Sequence, residues 1–391
     1  MSNLKVDAIR HNSATSDAIT MASDGTCTAK ITSVGGGGLS HRNKIHNGSF
    51  IINQRGGPYT STGSENMMDR FSHGESASFT FDTTTTVDSS GPAGFRKSLK
   101  ITPDSTQTPT GSQNAFISHR IEGQDLQDLC FGTSSAKKIT ISFYAKSSSQ
   151  NNNHQYTLQI RKYDDSNNRN MVNRAFTVTS SWQRFIMTFD GDTAENIRND
   201  QEAGMQILWH LSTGPDDIHG ASTTFGRTVN NSLYSGVTGQ SNFMDNTNNE
   251  FYLTGIQLEV GDTATSFEHR SHGEELARCQ RYCVVYGGSG ARHLGTAHAY
   301  NSTNLNLSLH VPVPMRAGPT PTTVLASGNW LQAYMGATGV QSNASISVTD
   351  VDTNHSSMRA YLQNAHSGRT EGQALWVHTL PNAKLILSAE I

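Results

Sequence analysis

Cys279 and Cys283 stand four residues apart, a spacing that on a helix offers two thiolates to one zinc ion. A closed zinc site needs four ligands, and the nearby His269, His272 and His293 lack finger-like spacing. The two cysteines therefore read as buried packing thiols. The 16 histidines include no His-x-His pair and read as solvated or hydrogen-bonded loop residues. Glycoside hydrolysis would need two carboxylates about 5–10 Å apart in a cleft. The adjacent acids Asp164–Asp165 and Asp216–Asp217 lie instead in the segments YDDSN and GPDDIHG, where aspartate bonds its local backbone in turns. Such acids, with loop carbonyls, also suit a structural calcium ion of unassigned position; the metal site is unknown and no other cofactor is expected. The chain contains no Gly-x-Ser-x-Gly, P-loop or Rossmann pattern. These observations point to a protein that is not an enzyme.

Sugar contact uses aromatic faces against C–H patches and planar polar groups against hydroxyls. Of the four tryptophans, Trp182 and Trp209 sit in strand-like segments and read as core, while Trp376 lies in another such segment, QALWVHTL. Trp330 and Tyr334, in the glycine-rich stretch ASGNWLQAYMGATG, are the expected exposed pair, suited to a glycan, a protein or a subunit interface.

The elements that must carry these residues follow from composition. The 391 residues suggest two or three domains. Charged residues are only 16%, and Ser, Thr, Asn and Gly fill the gap, which favours turns and strands over helices. Net charge is −3 without a basic run, so nucleic-acid binding is not expected. No apolar stretch reaches the roughly 20 residues of a membrane span, and the N-terminus lacks the apolar core of a secretory signal. Four scattered cysteines imply no disulfide framework and fit synthesis in a reducing cytoplasm.

The fold expected is all-β. Residues 1–45 form an extended arm of short strands ending at the linker Gly35–Gly38, and residues 46–270 an antiparallel jelly-roll sandwich. In its last strand, Phe251 and Leu253 are in one phase and Ile256, Leu258 and Val260 in the other, so Gly255 marks a β-bulge. A short junction helix spans about 272–284 within the segment 271–284, with Glu274 and Glu275 in its first turn and Arg278 and Arg281 later. Leu276, Cys279 and Cys283 share one of its faces. A distal β-domain, 285–391, follows. The arm and the distal strands look too thin to bury a core alone, which predicts a homotrimer whose helix gathers three chains near an axis.

The segment QLEVGDTATSFEHRSHGEELARCQRYC, Gln257–Cys283, resembles the end of a jelly-roll module, similar to carbohydrate-binding modules, in tail-fibre and other appendage proteins of bacteriophages, particularly marine ones. The match runs through Gln257–Gly261, Ala264, Phe267, Glu268, Arg270, Glu274, Glu275, Leu276 and Cys279–Tyr282; it departs at Ser266, where Pro is common, and at Cys283, where an aromatic residue is common. The stretch NKIHNGSFIINQRG, Asn43–Gly56, resembles the first strand of that module, and VPVPMRAGPT, Val311–Thr320, a stretch of the domain that follows it. The resemblance implies a homotrimeric structural protein of the virion, assembled in the host cytoplasm, with other tail or capsid proteins and host surface polysaccharide as partners. A fibre adaptor or capsid decoration protein without a glycan site is the alternative. A polysaccharide-degrading tailspike fits worse, because long β-helix repeats are missing. It also implies structural roles for Glu268, Arg270, Cys279, Arg281, Tyr282 and Arg316: a local Glu268–Arg270 ion pair tying the sandwich to the helix, and Arg316 pinning a main-chain carbonyl.

Overall fold

The computed structural model describes residues 6–10, 12, 13, 15, 17–25, 27–29, 41–61, 65–76, 79–166, 168–222, 224–227, 235–336 and 338–391. It is all-β, an antiparallel jelly-roll sandwich preceded by a small arm sheet and followed by a short helix and a second β-domain. The arm pairs Ala8–Ile9, Ile19–Met21 and Cys27–Ala29 in sequence order. The expected linker Gly35–Gly38 lies outside the described residues.

One sandwich sheet runs Gln183–Phe189, Ile139–Ser147, Phe251–Val260, Ser98–Pro103, Thr83–Asp88, Tyr59–Ser61. The other runs Gly226–Arg227, Arg169–Thr177, Gln155–Tyr163, Ala203–Thr213, Asn114–Glu122, Phe71–Ser76, Glu65–Met68. Alternation sends Ile139, Ile141, Phe143 and Ala145 of one sheet, and Tyr156, Leu158 and Ile160 of the other, into a shared core with Trp209. Phe79 and Phe81 are buried there too, though in extended chain ahead of the strand Thr83–Asp88 rather than in a strand. Trp182, expected in the core, is half-buried, its ring 6.1 Å from that of Tyr252. The bulge lies where the hydrophobic phase changes: the pairing of Ile139–Ser147 with Phe251–Val260 slips between Ser142 and Tyr144, and Gly255 has φ +62°. A Cβ there would lie 2.8 Å from Phe95 and 2.9 Å from Tyr144, so glycine serves both backbone and packing.

The helix α1 covers His272–Gln280, capped by the Ser271 hydroxyl, which accepts from Glu274 N at 3.2 Å. It is shorter than the sequence suggests. Cys283 leaves the helix and opens the strand Cys283–Gly287, so it shares no helical face with Cys279. Both thiols are fully buried, and burial pushes the Cys283 thiol up to about 12.

The distal domain corrects a second expectation. It has its own core within a single chain, built from Leu305, Leu307, Leu331, Val377, Leu385 and Leu387 among others. Its seven-stranded sheet runs Thr338–Ser342, Leu331–Met335, Ala374–Thr379, Arg292–Ala299, Leu305–His310, Ser357–Gln363, Ser345–Thr349. The two edge strands are separated in sequence only by residues 343–344, so the sheet must curl until its edges meet. A three-stranded sheet, Cys283–Gly287, Lys384–Ser388, Thr320–Val324, joins the core. A curled sheet encloses apolar side chains that a flat ribbon of the same strands would leave wet, and a one-dimensional strand reading does not show curvature.

Candidate functional site

Two places hold the residues singled out in the sequence. The first is the junction between sandwich and distal domain. Arg270 donates to the carbonyls of Ile45 (3.0 Å) and Asn43, and pairs with Glu268 at 3.2 Å and with Glu275 of α1 at 3.4 Å. Glu268 in turn accepts from the main-chain nitrogens of Arg42 (3.3 Å) and Asn43 (3.0 Å). Its burial opposes ionisation, but the Asn43 amide and Arg270 outweigh that and hold its carboxyl below the usual range. At the C-cap of the helix, Arg281 forks onto Glu122 of the sandwich through Nε (2.8 Å) and Nη2 (2.7 Å), and the Tyr282 hydroxyl donates to the same carboxylate. Glu122 is buried, which opposes ionisation; Arg281 and Tyr282 prevail and its pKa is lowered. The Arg70 guanidinium lies 3.3 Å over the Tyr282 ring and pairs with Glu390. Arg316 donates to the carbonyls of Ala389 (2.9 Å) and Gln201 (3.1 Å) and pairs with Glu202 at 3.1 Å.

All three stretches that carry the family resemblance meet here. Asn43 Nδ2 donates to Ile256 O at 3.0 Å, Asn47 N donates to Glu275, Gln54 Nε2 donates to Cys283 O at 2.8 Å, and Arg316 N donates to Arg281 O at 2.8 Å. The arrangement fixes one domain against the other: each of these side chains is engaged within the chain, with only the Nε of Arg70 and of Arg270 among them buried without a partner. Helix α1 therefore packs on its own chain through Glu275 and Cys279.

The second place is the outer face of the distal sheet. Trp330 is not part of it. It stands just ahead of the strand Leu331–Met335 where the two sheet edges meet; it is 0% exposed and donates Nε1–H to Ala344 O at 2.7 Å. The expectation of an exposed Trp330–Tyr334 pair is thus half corrected. The surface tryptophan is Trp376, 63% exposed, directly across from Tyr334 on one side and Thr296 on the other. Gln332 pairs with His378, and His378 with His293, in the neighbouring row. The His378 ring is 5.3 Å from Tyr334 and 5.1 Å from His293. Desolvation and then His293 hold His378 below its ordinary pKa, so it is neutral at pH 7 and can both donate and accept. Glycine at 339 leaves room for the Tyr334 ring: a Cβ would come within 2.6 Å of it. Sequence reasoning passed over Trp376, yet the signal was present. In ALWVHT, Leu375 and Val377 are in one phase, which puts Trp376 and His378 on the opposite face.

Among the described residues no group of three or more His, Cys, Asp or Glu side chains is placed to hold a metal ion. Asp164 accepts from Ser166 N (2.9 Å) and Asn168 N (2.8 Å), closing a local turn, and Asp216–Asp217 lie in the short 3-10 helix Pro215–Asp217. No described helix is long and apolar enough to cross a membrane.

No family model matches the chain, and no curated protein does. Among solved structures it is similar to the enzymatically active domain of tailspike protein 4 of bacteriophage CBA120, with 13% identity and TM-score 0.30; the alignment covers 59% of this chain and spans 23% of that one. It is similar also to the xylan-binding domain CBM22-1 from Paenibacillus barcinonensis (11% identity, TM-score 0.29, 59% of this chain and 100% of that one). A third is the family 11 carbohydrate-binding module of a cellulosomal cellulase of Clostridium thermocellum (13% identity, TM-score 0.27, 55% and 99%).

Proposed function

We propose that the chain is a non-enzymatic structural protein of a bacteriophage virion, a homotrimeric tail fibre or receptor-binding protein whose distal domain touches host surface glycan. The observation that carries the contact is Trp376: a large apolar ring, 63% exposed at the middle of a sheet face, with Tyr334 beside it and Gln332, Thr296 and His378 around it. Such a ring stacks on sugar C–H patches while amide, hydroxyl and imidazole neighbours bond hydroxyls. The virion assignment is supported by the junction: the three stretches that resemble appendage proteins build one domain connector. The arm supports association, since it exposes Val6 ahead of its first strand and Ile9 and Met21 on strands of two or three residues that need partners. Three weak contacts on one particle then bind as a unit.

The test is a host-glycan array with wild type and two variants. Trp376→Ala loses binding by about tenfold or more at unchanged Tm, as a truncated surface aromatic hot spot does. Trp330→Ala instead lowers stability by about 3–5 kcal/mol, the cost of emptying a core aromatic site. Sedimentation of the full chain checks the trimer; a lone 42.4 kDa species at micromolar concentration overturns it. A second reading, an adaptor or decoration protein, is favoured by the curled sheet, which turns the Trp376 face outward as a convex surface suited to another protein. No glycan binding by wild type selects it, whereas retained binding in Trp376→Ala overturns Trp376 as the contact.

A further inference from the structure

The outer face of the seven-stranded sandwich sheet holds a buried cation that forms no ion pair among the described residues. Along Gln155–Tyr163 the residues Tyr156, Leu158 and Ile160 face the core, so Gln159, Arg161 and Tyr163 face away from it. That side is covered nonetheless: Gln159 is fully buried and Arg161 keeps 7% of its surface. The guanidinium spends Nε (3.2 Å) and Nη2 (2.7 Å) on one acceptor, Gln159 Oε1. Gln159 is itself engaged with Asn173 at 3.0 Å. The next side chain on this face, Tyr163, donates to Gln206 Oε1 at 3.0 Å, and Gln206 passes its amide to Ser118 at 3.1 Å. These partners are neutral. Burial, and then the nearby cations Arg169 and Arg120, hold the Arg161 pKa below the ordinary arginine value.

A guanidinium cannot lose its proton near neutrality. Burying it among neutral groups leaves a desolvation cost that amide and hydroxyl acceptors do not return, and breaking up a buried pair is costly for the same reason. A second arginine lies in the same row. Arg120 pairs across the strands with Gln206, and Gln206 with Arg161, so two guanidinium-bearing residues flank one amide. Arg120 donates Nη1 to the main-chain oxygen of Ile391, while its Nε is buried with no partner.

We propose that the row Arg120–Gln206–Arg161 is an oxyanion site that takes the carboxylate or sulfate group of an acidic sugar. Arg161 supplies the opposite charge, and its planar fork matches paired oxygens. The site is separate from the Trp376 face and does not depend on it.

Thermal unfolding of the full chain tests this in sodium sulfate, in galacturonate trisaccharide and in neutral xylotriose, each against sodium chloride at equal ionic strength. Sulfate, galacturonate or both raise the Tm by about 2 °C or more near saturation, and xylotriose does not. A response to galacturonate alone assigns a sugar-borne carboxylate; a response to sulfate assigns an oxyanion site open to the free ion or a sulfate ester. Arg161→Met abolishes the response and, in chloride, unfolds no lower than wild type, because an uncompensated charge has been replaced by an apolar chain of similar length. Arg161→Lys keeps the charge without the fork and weakens binding about tenfold. Indifference of wild type to both anions overturns the proposal, as does an undiminished response in Arg161→Met or Arg161→Lys.

Discussion

At the scale of single residues, Glu122 shows how the junction depends on ionisation. Its folded pKa lies below the ordinary glutamate value, so its bond to Arg281 is fully present above about pH 4.5 and is lost as pH falls through the lowered value. Glu122→Gln keeps a partner for Tyr282 but removes the charge. It should cost about 2 kcal/mol at pH 7, discounted because Arg281 is partly exposed, and the gap to wild type should close below pH 4 in thermal melts. A gap independent of pH would assign the loss to packing alone. The residue scale is also where sequence reading divides. Arg316 and Arg270 stand out in their motifs, because a guanidinium beside extended chain can reach carbonyls whatever the detail of the fold. Trp330 misleads because its glycine-rich surroundings suggest a loop, whereas the burial comes from two sheet edges that meet only after the sheet curls. Arg161 is invisible in sequence: nothing local says that an arginine between Ile160 and Lys162 near the end of an alternating strand is covered.

At the scale of elements, strand phase is the strongest signal, because each inward residue is specified by the core it must meet. It yields the strands around Phe143, Leu158 and Trp209 and the bulge at Gly255. Gly255→Ala tests the bulge. With φ +62° and Phe95 and Tyr144 within 3 Å of the new Cβ, it should destabilise by about 1–3 kcal/mol, read as a lower midpoint in urea with an unchanged slope. A neutral result would mean that the strand can shed the bulge. The end of α1 was harder to read. Cys279 and Cys283 fit helical spacing, and only the pairing of Cys283 with Ser388, contributed from the far end of the chain, draws it into a sheet.

At the scale of the whole molecule, the two cores are distinct in sequence but joined by groups that come from everywhere. Arg55 and Arg70 meet Glu390, Arg316 meets Ala389 and Gln201, Lys384 reaches Arg55 O, and Arg281 meets Glu122. Such a junction couples the domains, so the chain should melt in one calorimetric transition. Arg316→Ala, which strips the buried carbonyl of Ala389 and the less buried one of Gln201 of their donor, should split it into two or lower it by several degrees. Domain order and the motifs of the junction were legible because each piece is local. The self-sufficiency of the distal core was not, since it depends on closure between strands remote in sequence.

The same junction bears on how the molecule would behave under tension. Its ion pairs and carbonyl bonds tie Ala389 and Glu390 after the last strand, the stretch after α1 and the non-strand residues Gln54 and Arg70 of the sandwich together, so a force drawn through the distal sheet is shared among them rather than met one bond at a time. The tether between the domains should then yield abruptly and at high load, and the distal domain should keep its orientation until it does.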